Sequence, residues 1–234
     1  MDMSSDRITG VIGAMEQELA LLKDAAKIRE KVVRAGMEFN VGTLDETEVV
    51  IVQCGIGKVN AGQCVQILAD EFGVTRVINT GVAGSLDDRL RVGDIVISAD
   101  AVQHDFDVSP VGFRKGEIPY TGLYAFPADA ALRQRALETA RAAADAAVYE
   151  GRVCSGDQFI SDAAVKARIV RQFGGLCCEM EGGAVAHACY LNGLPFVIVR
   201  AISDSADGES PVSFEAFTAR AAANCAAIVR NMLE

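Results

Sequence analysis

The chain is poor in the residues that metal and disulfide chemistry need. It has two histidines, His104 and His187, and their pattern forms no metal cluster with the cysteines. The cysteines (Cys54, Cys64, Cys154, Cys177, Cys178, Cys189 and Cys225) are odd in number and include no C-x-x-C pair. Most sit in apolar segments such as VVIVQC and AHACYL, so buried, reduced thiols are expected rather than a disulfide framework. Positive charge is also scarce. Lys and Arg total 22 against 32 Asp and Glu, a net charge of −10, which argues against nucleic acid or an anionic membrane as the main partner. No run approaches the ~18 apolar residues of a membrane helix. The opening stretch MDMSSDRITGVIGAME lacks a basic n-region and a long apolar core, so no signal peptide is expected and a cytoplasmic protein is. There is no low-complexity linker, no internal repeat and no G-x-x-x-x-G-K-[ST], which excludes a P-loop on pattern.

What is present is apolar bulk. Of 234 residues, 50% are hydrophobic and 23% charged, which excludes disorder and fits one domain over 1–234 with a flexible extension at 1–6. Short apolar runs at 8–15, 48–55, 75–81, 93–99, 148–156 and 195–203 read as buried strands, and the alternating 37–44 as a hairpin strand. Helical patterns lie at 16–26, 58–72, 128–146, 162–173, 181–192 and 211–233. This alternation predicts an α/β fold with a mostly parallel sheet covered on both faces. In such sheets ligands bind beyond the carboxyl ends of the strands. Residues 104–127 form the longest irregular stretch, with three of the five prolines, and read as a loop packed on something, a second subunit or its own chain.

Several strands end in glycines and polar residues. CGIGKVNAG (54–62) has the wrong glycine spacing and no acidic ribose anchor for a dinucleotide site, so it reads as a tight strand-to-helix turn. In CEMEGG (178–183) Glu179 and Glu181 stand at a strand end and a helix start, where an anion is favoured. Glu181 is there either a ligand group or a simple helix cap. GAMEQE (13–18) repeats the strand-then-helix pattern with acids, and CSGDQFI (154–160) presents Phe159 on a turn. VRAISDSAD (199–207) delivers Arg200, Ser203 and Asp204 at the exit of an apolar strand. Three acids, an arginine, an aromatic ring and two methionines thus converge on one sheet edge.

These blocks, with INTGVAGSL, VGDIVIS and HDFDV between them, resemble in order and spacing the 5′-methylthioadenosine/S-adenosylhomocysteine nucleosidase family of the purine nucleoside phosphorylase superfamily, over roughly residues 8–232. The resemblance implies a three-layer α/β/α domain with a twisted mixed sheet, acting as a homodimer without metal or organic cofactor. It implies hydrolysis of the N-glycosidic bond of adenine nucleosides carrying a 5′-thioether. By similarity Asp204 is the acid that protonates adenine N7, and Ser203 orients it. A free aspartate is ionised at neutral pH, and a dry pocket against a flat purine favours the protonated form. Glu18 matches the base that activates water, and Glu181 the ionised acceptor of the ribose 2′- and 3′-hydroxyls. Arg200 matches an arginine near the water and ribose that holds the acids in place. Phe159 would stack on adenine and the backbone at Ile160 would read its edge, with Met15 and Met180 as apolar walls of the ribose pocket. The 5′-thio groove would take Phe214 from the same chain and Ile56, Val108, Val111 and Pro119 from the partner. Val82 stands where the family often has serine, Phe113 where tyrosine is frequent, and Gly182 and Gly183 where bulkier residues are usual.

Three alternatives compete with that reading. A phosphorolytic nucleoside phosphorylase needs arginines and backbone donors for phosphate, whereas Glu16, Gln17 and Glu18 at the first strand's exit would repel it. A hydrolase specialised for another adenine nucleoside, such as aminodeoxyfutalosine, would share the core motifs. A non-catalytic nucleoside-binding protein would have no use for a water-activating glutamate.

Overall fold

The computed structural model describes residues 7–143, 146–206 and 210–233, with backbone only for 210–216. The chain opens with β1 (Thr9–Gly13), α1 (Glu16–Ala25) and a meander of β2 (Lys27–Arg34), β3 (Met37–Leu44) and β4 (Thr47–Gln53). It continues through α2 (Lys58–Phe72), β5 (Arg76–Ser85), β6 (Ile95–Gln103), a 3₁₀ turn at Ser109–Val111 and the two-residue β7 (Phe126–Pro127). Then come α3 (Ala130–Ala143), β8 (Val148–Ser155), α4 (Ala163–Phe173), β9 (Cys177–Glu179), α5 (Gly182–Asn192), β10 (Phe196–Asp204) and α6 (Ser210–Leu233).

The strands form one mixed sheet in the order β10-β6-β8-β9-β5-β1-β4-β3-β2, with β7 beside β6. Strand β10 also pairs with β5, in parallel over Phe196–Asp204, so β10, β6, β8, β9 and β5 close into a ring. Long β5 makes this possible. Its first half pairs with β1, while Gly84 and Ser85 pair with Cys178 and Cys177 of β9.

Alternation along the strands builds a core on each face. Ile12, Val50, Val52, Val77 and Ile198 pack with Cys64, Val65 and Leu68 of α2 and Val185 and Cys189 of α5. Their neighbours Val11, Val49, Ile51, Ile78 and Val199 pack with Leu19 and Leu22 of α1, Leu137 of α3 and Cys225 and Val229 of α6. Each fully buried aliphatic side chain stabilises such a core by about 1.5–3 kcal/mol. Helix α4 covers a third, smaller cluster with Ile169 and Phe173, and Asp162 caps it by accepting from the Ala164 and Val165 amides at 2.8 and 3.0 Å. All seven cysteines are buried and free.

Strand β2, KIREKVVR, has no fully buried residue and is absent from the strands read from the sequence; only Ile28 and Val32 are half-buried, Val32 against the core. It forms because it pairs with β3 and its charges find partners, Arg29 with Glu48 at 2.6 Å and Lys31 with Glu38 at 3.0 Å. The irregular stretch 104–127 is pinned where Arg114 lies 3.5 Å from the centroid of the Tyr124 ring, which stacks on Phe173. His187 sits in α5 and stacks on Phe126, a packing role. No helix among the described residues is long and apolar enough to cross a membrane.

Candidate active site

A cavity opens beyond the carboxyl ends of β1, β5, β9 and β10, where the ring of strands meets the β1–α1 turn. Of the site residues expected from the sequence, it gathers Met15, Glu18, Ile56, Val82, Phe159, Ile160, Met180, Glu181, Ser203 and Asp204. Ala14, Ala83, Gly84, Gln158, Cys178 and Glu179 complete the wall without having been assigned to it.

Glu18 sits in the first turn of α1 and is buried. Its Oε2 accepts from the Ala14 and Met15 amides at 2.8 and 2.9 Å, and its Oε1 from the Val82 amide at 3.0 Å. Burial pushes its pKa up, against the pull of Arg200 and those three amides. The carboxylate lies so close to β5 that a Cβ at Gly81 would collide with Oε1, which fixes glycine there. A carboxyl group of this kind, poised above its ordinary range beside a cavity, can take a proton from water.

Asp204 ends β10 at a break in the pairing with β5. Its Oδ2 accepts from Ser203 Oγ at 2.8 Å and its Oδ1 from the Ala206 amide at 2.8 Å. These two bonds fix the carboxyl plane. Both residues are buried, 0% exposed for Ser203 and 2% for Asp204, yet they line the cavity, so the strand exit supplies a dry setting.

The EME segment divides its two acids between different tasks. Glu179 turns inward. It takes Nη2 of Arg200 at 2.6 Å, the Ser155 hydroxyl, and the Glu181 and Gly182 amides at 3.1 and 2.7 Å. It is therefore Glu179, not Glu181, that caps α5. Burial works against its charge, but Arg200, Ser155 and the Gly182 amide outweigh it and hold its pKa below the ordinary value. Glu181 turns toward the cavity and accepts from the Gly57 amide at 2.7 Å. Burial, then the charge of Glu179, pushes its pKa up to about 7. Glu181 thus differs from its expected permanent charge: in the free protein it is poised between forms at neutral pH. Burial is the larger cause, and the anion two residues away, held in place by Arg200, adds to it.

Arg200 does not line the cavity. It is 2% exposed behind the wall, bonded to Glu179, to Asn79 Oδ1 at 2.6 Å and to the Val199 carbonyl at 3.2 Å. It holds Glu179 in place from behind the cavity wall. Burial lowers its pKa and the three glutamates Glu179, Glu18 and Glu181 more than restore it. Ile56, expected from a partner chain, instead lines its own chain's cavity, because the β4–α2 turn carries it there. Val108, Val111 and Pro119 lie on the 104–127 stretch and do not reach this cavity. The Phe214 side chain lies outside the described residues. No group of three or more His, Cys, Asp or Glu side chains among the described residues could hold a metal ion.

Comparison with known proteins matches residues 8–234 to the phosphorylase superfamily. A 5′-methylthioadenosine/S-adenosylhomocysteine nucleosidase of Treponema pallidum is 43% identical over 92% of this chain and 90% of its own. The crystal structure of the Neisseria meningitidis nucleosidase of that name, in complex with methylthio-immucillin-A, superposes with a TM-score of 0.94 at 38% identity, over 97% of this chain and 98% of the other. A futalosine hydrolase of Helicobacter pylori gives a TM-score of 0.92 at 32% identity, covering 97% of both chains.

Proposed function

The chain belongs to the phosphorylase superfamily, and on that premise we propose that it hydrolyses the N-glycosidic bond of 5′-thio-substituted adenine nucleosides, methylthioadenosine and S-adenosylhomocysteine. The observation that carries this reading is that Glu18 and Asp204, from opposite ends of the sequence, share one dry cavity. Protonated Asp204 gives its proton to adenine N7 as the bond to C1′ breaks and its electron pair passes to N9. Water attacks C1′ and loses a proton to Glu18. Ionised Glu181 accepts hydrogen bonds from the ribose hydroxyls and its charge favours the oxocarbenium-like ribose. Phe159 stacks on the base, the Ile160 backbone reads its edge, and Met15, Met180 and Val82 wall the sugar. Each proton-transfer group contributes about 10²–10⁴-fold.

Water rather than phosphate is the nucleophile in this reading. Buried Glu18 at the exit of β1 puts an acid in the cavity where a phosphate would bind, and among the described residues the lining includes no arginine or lysine. The likeness to a futalosine hydrolase supports a second reading, in which the preferred adenine nucleoside carries a different 5′-substituent. The protein acts as one domain and as a homodimer, with Val108, Val111 and Pro119 reaching the partner's 5′-thio groove. Exposed Val59, Val111 and Tyr120 support the association. Seven buried, free thiols support a cytoplasmic setting. The test is adenine release from a panel of 5′-substituted adenosines, with and without phosphate, followed by product chromatography. Release from methylthioadenosine in phosphate-free buffer is expected, and a strict phosphate requirement would overturn the hydrolase assignment.

A further inference from the structure

Helix α2 begins without a cap of its own. Its N-cap is Gly57, at φ 98°, and its first turn carries no acidic residue. The missing anion comes from a remote loop: Asp157, after β8, accepts from the Lys58 amide at 2.8 Å. A Cβ at Gly57 would lie 3.2 Å from that carboxylate, so glycine permits both the turn and the approach. The Asp157 amide in turn donates to Asp105 Oδ2 at 2.9 Å, and Asp105 Oδ1 takes Nζ of Lys58 at 2.6 Å. Three hydrogen bonds thus close a circuit through the β4–α2 turn, the β8–α4 loop and the exit of β6. Lys58 also reaches Gln103 Oε1 at 3.2 Å, which anchors the circuit to the sheet.

Each arm of this circuit leads into the cavity. The Gly57 amide, next to Lys58, is the one that holds Glu181. Asp157 is followed directly by Gln158, Phe159 and Ile160, which line the base side. We propose that Lys58, Asp105 and Asp157 are positioning residues that lock the base-binding loop to the ribose-binding turn, so that the two halves of the nucleoside are gripped together. This rests on the functional reading above. None of the three lines the cavity itself. The Lys58 and Asp105 side chains are 17% and 20% exposed, so the pair is largely shielded from solvent and holds a fixed geometry. Its effect falls on the order of two loops in the free protein, which a ligand would otherwise have to impose on binding.

The experiment measures kcat and KM for methylthioadenosine, and Kd for adenine alone by calorimetry, in Asp105→Ala, Lys58→Met and Lys58→Arg. Asp105→Ala and Lys58→Met should each raise KM and the adenine Kd by about tenfold with kcat within about threefold, the pattern of lost ground-state positioning. Lys58→Arg should restore most of both. The weakened adenine binding of Lys58→Met is the signature, because the Lys58 side chain bonds Asp105 and Gln103, neither of which lines the cavity. Unchanged KM and Kd would reduce the circuit to a surface ion pair and overturn the proposal. So would a fall in kcat alone, an adenine effect confined to Asp105→Ala, or loss of the fold in both breaking variants, which would make it a stability element. A wild-type protein that binds adenine but leaves methylthioadenosine intact would refute the functional reading, while the adenine arm still tests this one.

Discussion

Replacing Glu18 with glutamine separates what this side chain does for the fold from what it does for the reaction. Its carboxylate receives three backbone amides, two on Oε2 and one on Oε1, at 2.8, 2.9 and 3.0 Å. Glutamine has one acceptor oxygen. Turned toward Ala14 and Met15, it leaves its NH₂ against the Val82 amide, donor facing donor. One unpaired buried N–H costs about 1–3 kcal/mol. Relief from burying a charge offsets part of this, so the expected net loss is at the low end, about 1 kcal/mol, or roughly 2–4 °C in Tm for a chain of this size. The reaction loses far more. Without a proton acceptor for water, kcat should fall by about 10²–10⁴, equivalent to ~2.7–5.4 kcal/mol of barrier. Thermal melting by circular dichroism and adenine release at saturating methylthioadenosine, both at pH 7, separate the two effects. Adenine affinity should stay near wild type. A Glu18→Gln protein that melts normally and turns over within about tenfold of wild type would refute the assignment of this carboxyl as base.

Asp204→Asn should abolish turnover with little change in Tm, because the amide oxygen can still accept from Ala206 while its NH₂ donates to the Ser203 hydroxyl; intact methylthioadenosine recovered from the complex checks it. The pH profile of kcat/KM should fall on the acid side of about 7, where Glu181 gains a proton and stops accepting from both hydroxyls. The same group has a stability signature. Its raised folded pKa contributes stability that is complete below the ordinary glutamate value of 4.5 and is lost as pH rises through about 7, so urea unfolding of wild type should weaken relative to Glu181→Gln across that window. Native protein should consume no thiol reagent, and denatured protein seven equivalents, since every cysteine is buried and burial raises the pKa of each thiol.

The expected helices lie within a few residues of those observed, because most follow an apolar strand and carry an apolar face, while α5 is apolar all round and α3 is rich in alanine. Residues 27–34 were opaque for the opposite reason. KIREKVVR buries only part of Ile28 and Val32, and its strand depends on pairing with β3, a partner the segment itself does not reveal. The acids of the site were visible as strand-end residues, but their division of labour was not. Which of the two lining acids is tied to the sheet is decided by Arg200 and Ser155, which reach Glu179 from strands β10 and β8 and leave Glu181 to the Gly57 amide. The Gly57 amide that holds Glu181 left no side-chain pattern to read. Ile56 illustrates the same limit: its place in its own cavity follows from the path of a four-residue turn, and turn paths are weakly encoded by side chains.

A ring of strands is finished only when its last member arrives. Strand β10 bridges β5 and β6, and its Arg200 reaches Asn79 from 121 positions away. The local helices and the β2–β3–β4 meander can form without it, since contacts near in sequence are made fastest. Hydrolytic competence needs Asp204, the end of that final strand. On dilution from urea, helical ellipticity should therefore return ahead of the ability to free adenine, so the molecule would pass through a stage with most of its secondary structure regained and no proton donor yet in place.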